Sequence, residues 1–240
     1  MLSPYGMEIV ESCLTCKLRA DRIFCDLPAD ALQALETIKC AAAYPQGAVL
    51  FVEGQRPRGI FVLCQGSVKL SINSTSGRTM IVELAELGEV LGLSATISGK
   101  PYEVTAETMG PCQVNFVKRD DFLRFLSDHA QVCFKVAEQL SEKYHDAFNE
   151  VRSLCFLHSA HEKLANLLLE WSSKNGESAQ PEPRLKLRLT HEEIGDMIGI
   201  SRETVTRLLA EMKKGQIVES RGSTLVIRNM AALRKMANHN

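Results

Sequence analysis

Leu189-Thr190-His191-Glu192-Glu193-Ile194-Gly195-Asp196-Met197-Ile198-Gly199-Ile200-Ser201-Arg202-Glu203-Thr204-Val205-Thr206-Arg207-Leu208-Leu209 spells two short helices joined by a glycine-bearing turn. Thr190 caps the first helix, and Glu193, three residues on, completes the reciprocal pattern of a capping box. Ile194, Met197 and Ile198 form an apolar stripe at helical spacing, and Gly199 lets the chain leave with a positive φ. Ser201 caps the second helix, whose Val205, Leu208 and Leu209 point inward while Arg202, Glu203, Thr204, Thr206 and Arg207 point outward. In a helix-turn-helix one helix braces while the other presents donors to base edges in the major groove of double-stranded DNA. Each guanidinium of Arg202 and Arg207 matches guanine O6 and N7, at about 1–3 kcal/mol of discrimination per good contact. Glu203 accepts from a cytosine amino group, and Thr206 reaches a base or a phosphate. Ser201, Arg202, Glu203, Thr204, Thr206 and Arg207 are therefore the candidate DNA-contacting residues. Exposed charges on an ordinary hairpin would merely be solvated; here caps, turn, stripes and arginines all agree.

Beyond this stretch, Lys213, Lys214 and Gly215 end the helix. Ile217–Ser220 and Thr224–Ile227 flank Arg221-Gly222-Ser223 as a two-stranded wing able to touch phosphate. The chain has 240 residues and a net charge of −1, which by itself argues against a nucleic-acid partner. The distribution answers this: residues 156–240 hold 13 Lys/Arg against 10 Asp/Glu, whereas residues 1–155 hold 15 against 19. So small a surplus predicts modest, salt-sensitive attraction to phosphate. No apolar run is long enough to cross a bilayer and no charged-then-apolar leader opens the chain, so a cytoplasmic protein without membrane contact is expected.

Residues 1–26 read as a cysteine-bearing arm, and Ala29 to Lys39 as a short amphipathic helix. Between Ala42 and Val117 short apolar runs (48–52, 60–63, 67–72 and 80–84) alternate with glycine turns, the pattern of a compact β-barrel or sandwich. The period then becomes helical. Val132, Val136, Leu140, Tyr144, Ala147, Val151 and Leu154 step along one long helix, 120–157, whose stripe suits a partner helix and hence a homodimer. A helix packed on its own barrel is the alternative. Residues 158–240 complete a DNA-binding domain, and Ser172–Pro183 reads as a polar loop within it.

This order resembles the Crp/Fnr family of bacterial transcription regulators over nearly the whole chain. The matching stretches are Pro45-Gln46-Gly47, Glu53-Gly54, Gly59 through Lys69, Gly88-Glu89 and Ile200 through Leu209. The resemblance implies an α+β protein: a double-stranded β-helix (jelly-roll, cyclic-nucleotide-binding-like) sensor domain at 27–119, a dimerisation helix and a winged helix-turn-helix domain. It also implies RNA polymerase as a partner and a regulator rather than an enzyme. In the cyclic-AMP-receptor branch the corresponding Arg-Glu pair and later Arg read a TGTGA-like half-site, which makes Arg202, Glu203 and Arg207 the base readers. Thr206 stands where Fnr-like relatives carry a contacting hydroxyl, so the half-site is left open.

The signal is a separate question. Nucleotide-binding relatives carry an Arg-Ser pair that grips the cyclic phosphate. Tyr102 and Glu103 stand here instead, and a carboxylate repels a phosphate, so no cyclic nucleotide is expected as cofactor. Eight cysteines in a reducing compartment suggest metal or redox use rather than disulfides. Cys13-x2-Cys16 suits a soft metal or an iron–sulfur group, with Cys25 eight intervening residues later. By resemblance to the Fnr-branch oxygen sensors, Cys112 takes the place of the barrel ligand. Cys13, Cys16, Cys25 and Cys112 are then the candidate ligands of one 4Fe–4S cluster per subunit, although the third spacing is stretched. A structural or redox thiol group and zinc stay open beside it. Cys40, Cys64, Cys133 and Cys155 read as small core residues. A cyclic-nucleotide-responsive regulator and a cysteine-based redox enzyme are the competing functions; no nucleophile–base pair, Walker loop or dinucleotide fingerprint supports an enzyme.

Overall fold

A computed structural model describes residues 5–7, 9–16, 25–156, 159–174, 184–186, 189–221 and 224–237 of the chain, which divides into two compact units, Met1–Asp146 and Ala147–Asn240. The first is built from α1 (Ala29–Ile38), β1 (Lys39–Tyr44), β2 (Val49–Phe51), β3 (Gly59–Gln65), β4 (Val68–Asn73), β5 (Thr79–Ala85), β6 (Val90–Leu91), α2 (Leu93–Ser98), β7 (Thr105–Thr108), β8 (Cys112–Lys118), α3 (Arg119–Asp128) and the start of α4 (Ala130–Phe156). Two four-stranded antiparallel sheets, ordered β1-β8-β3-β6 and β2-β7-β4-β5, make its β-roll. Apolar side chains from both, among them Phe51, Phe61, Leu63, Leu70 and Val114, fill the interior. The other face of the first sheet carries Ile60, Val62 and Val117, which pack beneath Leu32 and Leu35 of α1, Phe122 and Phe125 of α3, and Val132 and Val136 of α4. Both faces of β3 and β8 are therefore buried, and each excludes water from a different core.

The helix expected over 120–157 is two helices. His129, at φ −130 and ψ 80, closes α3 and its ring packs on Phe125 at 4.9 Å, so α4 starts afresh at Ala130. The expected stripe also divides. Val132, Val136 and Leu140 belong to the chain's own core, whereas Tyr144, Ala147 and Val151 are exposed, and the Leu154 side chain lies outside the described residues. The reason is geometric: steps of four residues advance about 40° each around an α-helix, so a run of them winds off its starting face. A second face of α4, stepping by three and four through Phe134, Ala137, Ser141, Tyr144, Phe148 and Val151, stays straight and is exposed, Phe134 and Tyr144 each by 67%. On the opposite flank Lys143 bonds the carboxylates of Glu83, on β5, and Glu89, at 2.8 Å.

The second unit contains α5 (Ala160–Lys174), β9 (Arg184–Lys186), α6 (His191–Ile198), α7 (Arg202–Lys214), β10 (Val218–Arg221), β11 (Thr224–Ile227) and α8 (Met230–Ala237). Leu164, Leu168, Ile194, Leu208, Met212 and Leu225 are its largest fully buried side chains. The wing has a third strand that the sequence did not suggest: β9 pairs with β11, in the order β10-β11-β9. The expected wing tip, 222–223, and most of the polar loop, 175–183, lie outside the described residues.

Two outcomes follow. Phe122 is fully buried where α3 meets the first sheet, so Phe122→Ala lowers stability in urea titration by about 3–5 kcal/mol. Burial pushes the Glu83 carboxyl up to about 7 from 4.5, with Lys143 pulling against it and Glu89 adding to the rise. Between those values the folded chain keeps a proton that the unfolded chain has lost, so this contribution to stability is full below the lower value and is lost as pH rises through the upper one. Glu83→Gln flattens that slope, as read from urea midpoints across the range.

A candidate DNA-reading helix and a cysteine-lined cavity

The helix pair at 190–214 forms as its caps dictate. The Thr190 hydroxyl accepts from the Glu193 amide at 3.2 Å while the Glu193 carboxylate accepts from the Thr190 amide at 2.9 Å, which closes the capping box. Gly199 ends α6 in the left-handed region at φ 69. The turn then folds back so tightly that a Cβ on Gly195 would lie 2.6 Å from the Ile200 carbonyl oxygen. Only glycine tolerates that approach. Ser201 caps α7 by accepting from the Thr204 amide at 3.3 Å.

Val205, Leu208, Leu209 and Met212 anchor α7, which leaves Ser201, Arg202, Glu203, Thr206 and Arg207 exposed and Thr204 half-buried. The Thr204 hydroxyl lies 3.1 Å from that of Ser201, so both serve the cap as much as the surface. Thr206 donates to the Arg202 carbonyl at 2.9 Å and lies 2.8 Å from His191 Nδ1, tying α7 to α6. Arg207 is held by Glu211 at 2.9 Å, one turn along, and Glu211 is bonded in turn by His161 at 2.9 Å. His161 first, and Arg207 after it, keep the Glu211 carboxyl below the usual carboxylate range. The Glu203 carboxyl is lowered chiefly by its own backbone amide at the open end of the helix, and next by the Ser201 hydroxyl. The result is an exposed helix end bearing two guanidinium groups, a carboxylate and hydroxyls on a rigid, capped support.

In the first unit the arm lies against α1, β3 and β8. Gln113 accepts from the Val10 amide at 2.8 Å and donates to the Val10 carbonyl at 2.7 Å, so its side chain holds the arm as a neighbouring strand would. Glu36 accepts from the Cys13 amide at 2.9 Å, and Lys39 donates to the Glu11 carbonyl at 2.9 Å. These contacts bring Cys13, Cys16 and Cys25 to the wall of one small cavity of about 30 Å³, with Lys39, Asn115 and Cys64. Asn115 Nδ2 donates to Cys13 Sγ at 3.5 Å, while its Oδ1 is buried and has no hydrogen-bond partner among the described residues. Burial pushes the Cys13 thiol above its ordinary value, with the Lys39 charge pulling the other way.

Cys112 is not part of this group. It is fully buried inside the roll, where its thiol donates to the carbonyls of Ser67 and Gly110 at 3.3 Å each. Gly66 passes so close that a Cβ there would collide with the Cys112 sulfur and would lie 2.6 Å from the Pro111 carbonyl oxygen. Strand alternation is the reason: Cys112 shares the interior face of β8 with Val114, while Gln113, Asn115 and Val117 face the arm and α1. Cys64, expected in a core, lines the arm's cavity instead. Its polar neighbours on β8 could have been recognised from the alternation of Gln113 and Asn115 with apolar residues; Lys39 and Glu36 carried no such signal.

The donor set suits a thiophilic group, since thiolates select soft metals and iron–sulfur clusters. No three of the described His, Cys, Asp and Glu side chains converge on a point that could hold one ion. One ion draws sulfurs to about 2.3 Å, whereas a cubane offers each thiolate a separate iron. The cavity wall is chiefly apolar, with Val10, Leu32, Leu35, Val62 and Val117 beside the cysteines, and Asn115 and Lys39 are its polar members. By donor chemistry these cysteines fit an iron–sulfur group.

Tyr102 and Glu103, which stand where an Arg-Ser pair would be expected by resemblance, are both engaged within the fold. Tyr102 is buried, stacks on Phe51 at 4.1 Å and donates to the Gly59 carbonyl at 2.8 Å; Glu103 accepts from Ser94 at 2.8 Å.

A β-roll, a helix with an exposed straight apolar face and a winged helix-turn-helix define a DNA-binding regulator. Residues 42–129 match the cyclic nucleotide-binding domain and residues 162–236 the Crp-like helix-turn-helix domain. The chain is 23% identical to the cAMP-activated global transcriptional regulator CRP of Pasteurella multocida over 185 residues, 77% of this chain and 88% of that one. It is 22% identical to a CRP-like cAMP-activated regulator of Mycobacterium tuberculosis, over 90% of this chain and 96% of that one. In fold it is similar to FixK2 from Bradyrhizobium japonicum, with a TM-score of 0.72 and 23% identity over 85% of this chain and 99% of that one. The chain belongs to the Crp/Fnr family of transcription regulators, a family of DNA-binding regulators rather than enzymes. No helix among the described residues is long and apolar enough to cross a membrane.

Arg207→Ala lowers the ratio of operator to random-DNA affinity by about 1–3 kcal/mol in fluorescence anisotropy titrations. Equal weakening on both duplexes would make Arg207 a phosphate contact instead.

Proposed function

We propose that this regulator binds a palindromic DNA site as a homodimer, reads each half-site with Arg202, Glu203 and Arg207, and sets its activity through the thiols of its N-terminal arm. The observation that carries the reading is the exposure of the α7 N-terminus on a support whose caps, glycine turn and apolar anchors are all made. Dimerisation is supported by the straight exposed face of α4, since Phe134, Tyr144 and Phe148 are too large an apolar surface to leave in water. Paired half-sites mirror a two-fold axis, so DNA reading and pairing support one another. RNA polymerase is the further partner that family membership suggests.

For the signal we favour oxygen or redox sensing by an iron–sulfur group on Cys13, Cys16 and Cys25. When bound, such a group supplies a redox-active centre that oxygen attacks. The chain's own part is to hold the arm through Gln113, Glu36 and Lys39 and to bury Cys13 and Cys25 against the core shared with Val132 and Val136 of α4. A change at the thiols thereby reaches the helix that would pair, and shifts the dimer population and DNA affinity together. Cyclic-nucleotide control is the weaker reading, because Tyr102 and Glu103 are engaged within the fold.

Phe148→Glu places charge in the proposed seam. Sedimentation should then report a monomer, with affinity for a palindrome falling towards that for an isolated half-site. A variant that stays dimeric with undiminished palindrome binding would refute the seam.

A further inference from the structure

Strand β3 pairs with β8 in regular register at Val62 opposite Asn115 and Leu63 opposite Val114, and pairing resumes at Gln65 opposite Gln113. Cys64 is the extra residue of a β-bulge. Bulges bend a strand and redirect side chains, and they gather at functional edges. Cys64 keeps the side of Ile60 and Val62, which carries the arm, and the bulge turns Gln65 to that side as well. Gln65 Nε2 reaches Gln113 Oε1 at 3.4 Å, and Cys64 lines the same cavity as the arm's three cysteines. Its thiol also lies 3.6 Å from the carbonyl of Val62, and a thiol is a weak donor.

We propose that Cys64 supplies the fourth thiolate of the arm's site, so that Cys13, Cys16, Cys25 and Cys64 together hold one iron–sulfur group while Cys112 remains a core residue. This rests on the reading of the arm as a cluster site and identifies the ligand set that the fold allows. Three observations carry it. Four cysteines from two separate parts of the chain, the arm and a strand some forty residues on, face one cavity. Asn115, only 4% exposed, aims its amide at that cavity, donates to Cys13 Sγ and leaves its oxygen without a partner among the described residues. Amide hydrogen bonds to cluster sulfurs are one of the ways a protein sets such a group's potential. Lys39, with its side chain only 5% exposed and paired with Glu36 at 3.2 Å, places an ammonium beside the thiols, which must lose their protons to bind. For Cys112 to serve instead, β8 would have to slip by one residue, which would turn Gln113 and Asn115 into the apolar interior.

The test uses the full chain, isolated from cells without oxygen, and reads iron, acid-labile sulfide and visible absorption. The wild type and Cys112→Ala should carry the chromophore and equal iron per chain, while Cys64→Ala should lose most of both. Because a substitution in β3 could disturb folding, a second readout needs no variant. In the loaded wild type Cys64 should resist alkylation and react once a chelator has removed the iron, and Cys112 should react slowly in both states. Loss of the chromophore in Cys112→Ala with retention in Cys64→Ala would overturn the ligand assignment and leave the cluster reading standing. So would equal alkylation of Cys64 with and without iron. A wild type that is colourless and iron-free would overturn both.

Discussion

The pairing of β8 between β1 and β3 is the constraint on which the sensor unit depends. The second sheet covers one face of the strand and α1, α3 and α4 cover the other, so its two-residue alternation sorts seven residues into two environments. One set of side chains closes the interior of the roll against the second sheet. The other set supports α1, receives α4 and holds the arm. Gln113 and Asn115 are polar in a place where polar groups are costly, and both are used: one binds the backbone of Val10, the other a cysteine sulfur. The described part of the arm around Val10 and Cys13 is consequently packed on the unit, tied to the strand that also forms the barrel.

Helix α4 shows the same division on a different period. Its first turns give Val132 and Val136 to the core of the β-roll, and Lys143 reaches back to Glu83 and Glu89. A separate face, alternating steps of three and four, is left exposed. A single helix thus belongs to its own domain on one side and is available to a partner on the other. A rearrangement beneath Val132 and Val136 would alter the helix proposed to bear the seam, and Cys13 and Cys25 pack against that same core.

The DNA-reading helix depends on local chemistry. A capping box, a left-handed glycine, a second glycine pressed against a carbonyl and a serine cap all lie within about a dozen residues. The caps and the left-handed glycine satisfy backbone groups that would otherwise be left unpaired at helix ends, and the second glycine lets the turn close tightly. Rigidity of this kind fixes where α7 presents Arg202 and Arg207 on the surface. The Arg207–Glu211–His161 chain adds a second restraint, on one of the two guanidinium groups.

The helix-turn-helix, the β-roll, the amphipathic α1 and the arm were all legible in the amino-acid order, because caps, glycine turns and hydrophobic period are local signals that act over a few residues. Family membership followed from the same stretches. Three things required the folded chain. The division of α4 was hidden because its apolar residues fall on two faces, one in the core of its own unit and one exposed, and the residues alone did not assign them. The third wing strand, β9, was hidden because its partner, β11, lies far along the chain. The separation of Cys112, inside the roll, from Cys64, at the arm's cavity, was hidden for a related reason: β8 has two buried faces, and only tertiary packing decides which of them the arm covers.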